Sequence, residues 1–205
     1  MQYFTPFPKV FYDQSGRVPG NPIIATNIMV RAKLRDSIKK NALVYYTYDV
    51  KDTDTPEIVA EKYYGDANRH WIVMFANNII DPFYDWVLPN PEFIKYIIAK
   101  YGSVAVAQST IDHYTKTIQK YDSSYRTTTS NVFTIDKTTY DALPDTEVDT
   151  INLKNGTTVI QTITRQAVKA YDYEFDLNEA KRKIILLDKK YAGILENELK
   201  ALMAL

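Results

Sequence analysis

The chain has 205 residues, with 25 Lys and Arg against 25 Asp and Glu, so its formal net charge is zero. This balance argues against a nucleic-acid-binding protein, which would normally carry a basic face. The sequence contains no Cys, which excludes disulfides and thiolate metal sites. No apolar run approaches about 18 residues, so no membrane span is expected. The first residues also lack the basic start and apolar core of a signal peptide.

Tyrosine is the unusual feature of the composition, with 17 copies. Tyrosine supplies a large contact area with a polar tip and is enriched at protein interfaces. The tyrosines either cover β-sheet surface or indicate contact with another protein.

The first 22 residues hold four prolines and two glycines, so they cannot form a long helix. Their aromatic side chains are unlike those of a solvated tail, because aromatic rings need burial. The sequence predicts an extended N-terminal arm that packs on its own domain or on a neighbour. Its candidate contact residues are Phe4, Phe7 and Phe11.

An alternating pattern follows the arm. Ile28, Val30, Ala32 and Leu34 alternate with basic residues. A period of two residues predicts a half-buried strand here.

Residues 45–89 carry the densest set of local signals. The segment Tyr45–Val50 is aromatic and β-branched, which is typical of a strand. Thr55 and Pro56 are typical of the N-cap and the first position of a helix. Gly65 is typical of a helix end, because glycine tolerates the left-handed conformation there.

A second helix is predicted from Ala67 to Ala76, with Asp66 as its cap. It is apolar on nearly all sides, which is typical of a buried helix. Asn77 and Asn78 end it, and Trp86–Leu88 is predicted to be a closing strand. Together the segment predicts a small β-α-α-β unit.

A strand, then VKDTDTPEIVAEKYYGD, then an apolar helix ending in Asn and a short strand, resembles a LysM module. Two positions depart from the usual LysM pattern, since Thr53 replaces a common Gly and Pro56 a common Leu. In LysM modules the glycan lies between the loop after the first strand and the loop after the second helix. The resemblance therefore implies candidate contacts with a glycan or a protein at Thr53, Asp54, Asn77, Phe83 and Tyr84.

Several stretches together resemble the LysM-containing baseplate wedge proteins of contractile-tailed, T-even-like bacteriophages. They are the run YGDANRHWIVMFANNIIDPFYDW, the Tyr3–Phe4 and Pro6–Pro8 segments, the Asn27–Lys33 segment and the ending YDYEFDLNEAKRKIILLDKKYAGILENELKALM. The resemblance covers most of the chain and is weak at residues 104–170. It implies a structural protein of the virion tail baseplate, assembled in the host cytoplasm. Its expected partners are other wedge proteins, joined in a six-fold ring around the tail tube.

The remaining segments predict a helix, a β subdomain and a C-terminal helix. Asn90 opens a helix that Gly102 ends, and this helix is expected to cover the LysM-like core. Residues 103–170 predict a small antiparallel β subdomain with strands at Ile111–Ile118 and Asn131–Ile135. Asn155-Gly156 is typical of a two-residue hairpin turn.

Tyr171–Leu177 alternates without a break between apolar and acidic residues, which predicts a strand. Its acids could bind a cation, although a solvated or salt-bridged face is the favoured interpretation. After an apolar strand at Ile184–Leu187, Asp188 caps a final helix, Lys189–Met203. The apolar stripe of that helix, which includes Ile194 and Leu199, must dock on its own domain or on a partner.

The predicted architecture is α+β in four parts. They are an N-terminal arm and strand (1–43), a LysM-like domain with its covering helix (44–102), a β-rich subdomain (103–177) and a C-terminal strand and helix (178–205).

The sequence offers no support for enzyme chemistry. Its two histidines, His70 and His113, lie far apart, and no nucleophile with a base and an orienting group can be found. A glycosidase needs only two carboxylates, but Asp66 is typical of a cap and Asp81 of a turn. We therefore expect a non-enzymatic protein without cofactor or metal. The first hypothesis is a structural baseplate wedge protein, and the alternative is a peptidoglycan-binding LysM module.

Overall fold

The computed structural model describes residues 3–13, 22–30, 44–153 and 156–203. The strands in chain order are β1 (Lys9–Tyr12), β2 (Ile23–Thr26), β3 (Tyr45–Asp49), β4 (Ile111–Asp122), β5 (Thr127–Ile135), β6 (Thr146–Asn152), β7 (Thr158–Lys169) and β8 (Lys183–Leu187). The α-helices are α1 (Pro56–Tyr64), α2 (His70–Asn77), α3 (Pro82–Asp85), α4 (Asn90–Tyr101), α5 (Val104–Ser109), α6 (Lys137–Ala142), α7 (Ala170–Ala180) and α8 (Lys189–Met203). The chain is therefore mixed α+β, with small antiparallel sheets and a C-terminal helix, as the sequence predicts.

Two compact units divide the chain. Unit 1 comprises Met1–Pro89 together with Glu179–Leu205, and unit 2 comprises Asn90–Asn178. Helix α4, expected from the sequence to cover the core of the preceding segment, thus belongs to unit 2. No helix in the described ranges is both long and apolar enough to cross a membrane.

The predicted start and end of the first helix of unit 1, α1, are confirmed. The Thr55 side chain accepts a hydrogen bond from the Ile58 N–H, and Pro56 occupies the first turn of α1. Gly65 follows this helix with φ +70°, the left-handed conformation that glycine tolerates. Asp66 caps a short 3-10 turn, Ala67–Arg69, which leads directly into α2.

The predicted closing strand at Trp86–Leu88 is wrong. The partner of β3 is β8, which pairs with it antiparallel from Tyr45 opposite Leu187 to Asp49 opposite Lys183. Trp86 instead uses its indole N–H to bond the Asp54 carbonyl at 2.9 Å. The longer apolar β8 offers a full ladder of backbone bonds, which the short segment before Pro89 does not.

One core lies between the β3–β8 sheet and the helices of unit 1. Its centre consists of side chains at most a few per cent exposed, among them Val59, Trp71, Ile72 and Leu186. Tyr64 fixes α1 to the sheet by donating its hydroxyl to the Leu187 carbonyl at 2.8 Å. Helix α8, capped by the Asp188 side chain as predicted, closes the core with Ala192, Leu199 and Met203.

The N-terminal arm contains a two-stranded hairpin that the sequence did not predict. Strands β1 and β2 pair antiparallel, with Phe11 opposite Ile24 and Tyr12 opposite Ile23. The strand predicted from Ile28 is wrong over the described residues 28–30. Ile28 and Met29 form a turn, in which the Met29 N–H bonds the Asn27 side chain. Residues 31–43 and 14–21 lie outside the described residues.

Unit 2 contains a four-stranded antiparallel sheet in the order β5-β4-β7-β6. The antiparallel strands predicted within residues 103–170 are therefore confirmed, and they are longer than expected. Strands β6 and β7 form the predicted hairpin, but the predicted two-residue turn is wrong. Asn152 lies opposite Thr158 and the Leu153 N–H bonds the Thr157 carbonyl, so the connection is longer. In its turn Gly156 has φ +82°, and Lys154 and Asn155 lie outside the described residues.

The strand predicted at Tyr171–Leu177 is wrong, because the segment lies within α7. The same residues also fit a helical period. Tyr171 and Phe175, four residues apart, stack at 6.4 Å, and Glu174 and Asn178 form the buried stripe beside them. A seven-residue alternation cannot separate these two interpretations, since it covers fewer than two full helical turns.

The acidic residues of this segment do not form one cation-binding face. Glu174, only 6% exposed, accepts hydrogen bonds from Tyr96, Lys100 and Tyr101. Burial alone would raise the pKa of Glu174, but the bonds from Lys100 and the two tyrosines outweigh it and lower that pKa. The carboxylate is thus a structural centre of unit 2.

Candidate interaction surfaces

The described ranges contain no cluster of three or more His, Asp or Glu side chains placed to hold a metal ion. His70 lies 3.0 Å from the Ala67 carbonyl through Nδ1, and His113 lies 2.8 Å from Asp112. Both histidines therefore make local contacts that suit structural residues. The remaining candidates are the residues predicted from the sequence to contact a protein or a glycan.

Asp54 belongs to the interior of unit 1. It is 4% exposed and accepts hydrogen bonds from the Tyr48 hydroxyl at 2.7 Å, the Lys51 N–H at 3.1 Å and the Lys62 ammonium at 2.6 Å. Burial alone would raise the pKa of Asp54, but the bonds from Lys62, Tyr48 and Lys51 lower it overall. The bond to Asp54, reinforced by burial, raises the pKa of Tyr48 to about 12. Its neighbour Thr53 is exposed.

Asn77 holds helix α2 to strand β8. Its amide NH2 donates to the Val73 and Ile185 carbonyls, both at 2.8 Å. Its carbonyl oxygen accepts the Ile185 N–H at 2.8 Å. Strand β8 pairs with β3 along one edge only. The Asn77 side chain satisfies the backbone groups of Ile185 at the other edge. Sequence reasoning identified Asn77 as a helix end and a ligand contact, and missed this role because β8 lies 108 residues away.

The predicted arm residues divide between core and surface. Phe7 is buried, with its ring centroid 4.9 Å from that of Tyr3 and 5.2 Å from that of Phe4. Phe4 is 52% exposed and Phe11 is 78% exposed. Phe7 therefore anchors the arm on its own unit, while Phe4 and Phe11 remain accessible.

The hairpin exposes apolar side chains on both of its faces. Phe11 and Ile24 lie together on one face, and Tyr12 and Ile23 on the other, each more than half exposed. An isolated two-stranded hairpin is at best marginally stable in water. Exposed side chains of this kind mark a surface for contact.

An apolar groove of about 1030 Å³ lies between the arm and α2. The arm contributes Tyr3, Phe4 and Phe7, and the opposite wall includes Trp71, Met74, Phe75, Ile79 and Ile80. The groove was not predicted, because it forms between segments that local patterns treat separately. The only sequence feature that pointed to the groove was the group of aromatic residues in the arm.

Two further predicted residues, Phe83 and Tyr84, lie on α3 and are 83% and 74% exposed. The turn is fixed beneath them. Asp81 caps α3, the Asp85 carboxylate accepts the Ile80 and Asp81 N–H groups, and the Tyr84 carbonyl accepts a hydrogen bond from Lys181. The structure thus presents two aromatic rings to solvent on a well-held loop.

The apolar stripe of α8 faces two ways. Leu199 is 2% exposed and belongs to the core, whereas Ile194 is 56% exposed. Docking of the stripe on its own domain therefore accounts for Leu199. It leaves Ile194 at the surface.

The described residues thus show exposed aromatic and aliphatic groups on a firmly packed unit. This arrangement is typical of a structural protein that assembles with others. Comparison with known proteins agrees: the family model described as base plate wedge protein 53 matches residues 2–201. The chain belongs to this family, and it is a structural component of a phage tail baseplate wedge.

A curated relative carries the same description. The baseplate wedge protein gp53 of Enterobacteria phage T4 is 32% identical to this chain over 68 residues. The match covers 32% of this chain and 35% of the T4 protein, so it spans about a third of the length of that relative.

Proposed function

We propose that this wedge protein joins neighbouring wedge proteins around the tail tube, in a six-fold ring, through the exposed apolar side chains of unit 1. The observation that carries the proposal is the β1–β2 hairpin, whose Phe11 and Ile24 are 78% and 69% exposed. In a free monomer the apolar side chains on both faces of the hairpin stay in contact with water, whereas an interface would bury them. The role of joining neighbouring wedge proteins is inferred from the resemblance to the family.

The remaining contacts of the proposal are Phe4, which lines the groove, the aromatic pair Phe83 and Tyr84, and Ile194 on α8. All of them are at least half exposed, and they lie on elements fixed by internal hydrogen bonds or core packing. Rigid elements lose little conformational entropy when a partner binds. Interface cores are also enriched in aromatic residues.

The proposal includes a LysM-like unit made of β3, α1, α2 and β8. Support comes from the order strand, helix, helix, strand and from the antiparallel pairing of the two strands. In this interpretation unit 2 is inserted between the second helix and the closing strand. The LysM-like unit then serves protein contact.

A glycan-binding role has less support. Of the five residues expected to contact a sugar, Asp54 and Asn77 are held in hydrogen bonds within their own chain. Thr53, Phe83 and Tyr84 remain accessible. Parallel binding measurements with wedges that lack this protein and with a soluble peptidoglycan oligomer separate the two functions. Binding to wedges alone supports the proposal, and binding to the glycan alone contradicts it.

The hairpin itself is tested by Phe11→Thr in reconstituted wedges. Threonine keeps the strand preference and removes the ring. We expect affinity for wedges to fall by about tenfold, equivalent to about 1.4 kcal/mol. The matched control is Tyr125→Thr, because Tyr125 lies in unit 2 and is 79% exposed, nearly the same as Phe11. No loss of affinity for Phe11→Thr would show that the hairpin is not the contact.

A further inference from the structure

The two faces of the unit 2 sheet differ in charge. In an antiparallel pair, directly opposite residues point to the same side, and successive residues alternate. The register therefore assigns one face to the odd-numbered residues of Thr115–Tyr121, with the even-numbered residues of Thr128–Thr134, Thr146–Asn152 and Thr158–Gln166. We call this the threonine face.

Within these ranges no residue on the threonine face is charged. Only Thr, Ser, Asn, Gln, Val, Ile and Tyr occur there. Charged residues make up 24% of the chain, and about 25–35% is the share recommended for the surface of a soluble designed domain. The opposite face has the ordinary mixture, including Lys116, Lys120, Glu147, Asp149 and Arg165.

The threonine face is accessible over most of its extent. Val132 and Val148, on the two edge strands, are 65% and 59% exposed, and Tyr121 and Ile160 between them are more than a third exposed. The nearby helix α6 lies on the opposite face. Its Tyr140 ring contacts Tyr114 at 4.5 Å and stacks under the Arg165 guanidinium.

We propose that the threonine face is a docking surface for an uncharged surface of another baseplate wedge protein. A charged partner group pressed onto this face would lose water without gaining a counter-charge. Nucleic acids and anionic lipid surfaces require cationic groups, which the face lacks. Hydroxyl and methyl groups at regular strand spacing suit close packing against a flat, neutral protein surface.

The size of the face favours a partner within an assembly over a free dimer of this chain. Four strands about 4.8 Å apart and about seven residues long present roughly 450–500 Å² of flat area. Two such faces would bury roughly 1,000 Å² together, which is less than the usual 1,200–2,000 Å² of a stable interface. A contact of this size holds firmly when other contacts fix the same two proteins, as in a baseplate.

The edge of the sheet beside this face is also open to a partner. Strand β5, Thr127–Ile135, contains no charged residue and is exposed at every position before Ile135. Free edge strands are commonly guarded by charge or proline, because their unpaired backbone groups attract other chains. An uncharged edge next to an uncharged face is consistent with coverage by protein in the assembly.

The test uses Ser130→Glu and Asn131→Glu, two exposed neighbours on β5 that point to opposite faces. Only Ser130 lies on the threonine face. The two variants therefore add the same charge to the same strand, but on opposite faces of the sheet. Binding of the full-length chain to reconstituted wedges is measured for both. We expect Ser130→Glu to weaken binding about tenfold or more and Asn131→Glu to change it by less than about twofold.

Two further measurements keep the proposal falsifiable. Thr150→Glu adds charge to the same face from the other edge strand and should repeat the loss, with both variants melting within a few degrees of the parent. The contribution of the face should also change little with salt, because screening acts on charges. Equal effects of Ser130→Glu and Asn131→Glu would overturn the proposal. So would an effect of Ser130→Glu only on self-association of the free chain, which would make the occupant a second copy.

This inference rests on the structural role in the wedge and is separate from the hairpin of unit 1. Phe11→Thr is therefore measured beside the unit 2 variants. If Phe11→Thr alone impairs binding, the threonine face is not a contact, and the function proposed for unit 1 stands. If only the unit 2 variants impair binding, the hairpin proposal fails and the threonine face stands.

Discussion

Unit 1 and unit 2 differ in how completely they bury their apolar side chains. Unit 1 encloses a continuous core between a two-stranded sheet and its helices, with Ile72, Val73 and Ala60 fully buried. The strands of unit 2 bury few side chains completely, and β5 and β6 are exposed along almost their whole length. Its buried residues lie mainly on the helices, where Phe93 and Ile97 are at most 2% exposed.

This difference indicates two kinds of structural task. The packing of unit 1 supplies a stable body that can carry exposed aromatic groups at fixed positions. The sheet of unit 2 is held by its long ladders of backbone bonds, and its faces remain available. We therefore expect substitutions in the core of unit 1 to change stability, and substitutions on its exposed hairpin or on the unit 2 sheet to change assembly.

The largest expected effect is that of Trp71→Ala in unit 1. Trp71 is 3% exposed, and its ring lies 5.5 Å from Tyr3 and 6.2 Å from Phe75. Truncation should lower the free energy of unfolding by about 3–5 kcal/mol, because it leaves a cavity in the core. Urea denaturation measures the change, with Trp71→Phe as a milder control. A loss within experimental error would mean that α2 is not a core element.

Asn77→Ala tests whether β8 closes unit 1. The substitution leaves the Ile185 N–H and carbonyl without their side-chain partner. We expect a loss of about 2–3 kcal/mol, since partly buried backbone groups become unsatisfied. Faster amide hydrogen exchange at Ile185 should accompany it. Unchanged exchange there would contradict the described link between α2 and β8.

Asp54→Asn should have a smaller effect, and one that depends on pH. The pKa of Asp54 in the folded chain is below its ordinary value of 3.8, so the unfolded chain takes up the proton first as pH falls. The carboxylate therefore stabilises the fold above about pH 4, and this stabilisation is lost as pH falls through the folded pKa. At neutral pH the variant should lose about 1–3 kcal/mol.

Denaturation curves between about pH 2 and pH 7 measure this dependence. The difference between the parent and Asp54→Asn should shrink below about pH 4, as the parent loses the charge. Asp176→Asn, at an exposed position of α7, is the control and should change stability by less than about 0.5 kcal/mol. A difference that is constant with pH would show that Asp54 is not held as a carboxylate.

Local chemistry made several elements predictable from the sequence. The caps at Thr55 and Asp188 and the glycine at position 65 fix helix ends through contacts a few residues apart, and all three are confirmed. The β character of unit 2 was readable from its many Thr residues and its Asn155-Gly156 pair. Signals of this kind depend on neighbours in sequence.

Features that depend on distant residues could not be predicted in the same way. The strand that pairs with β3 lies beyond all of unit 2, and short-range patterns instead favoured Trp86–Leu88. Asn77 looked available to a ligand, because its partner Ile185 lies 108 residues away. The partners of Asp54 are close in sequence, but the burial of this carboxylate depends on the tertiary packing of unit 1. The exposure of Phe11, Phe83 and Tyr84 likewise follows from tertiary packing.

Amide hydrogen exchange, compared between the free chain and the assembled baseplate, tests the central claim most directly. The claim is that the exposed hairpin of unit 1 and the open sheet of unit 2 become covered on assembly, while the core of unit 1 is already complete. We expect added protection in β1, β2, β5 and β6 and little change in α2 and β8. Unchanged exchange in those four strands, with new protection confined to α2 and β8, would contradict the account.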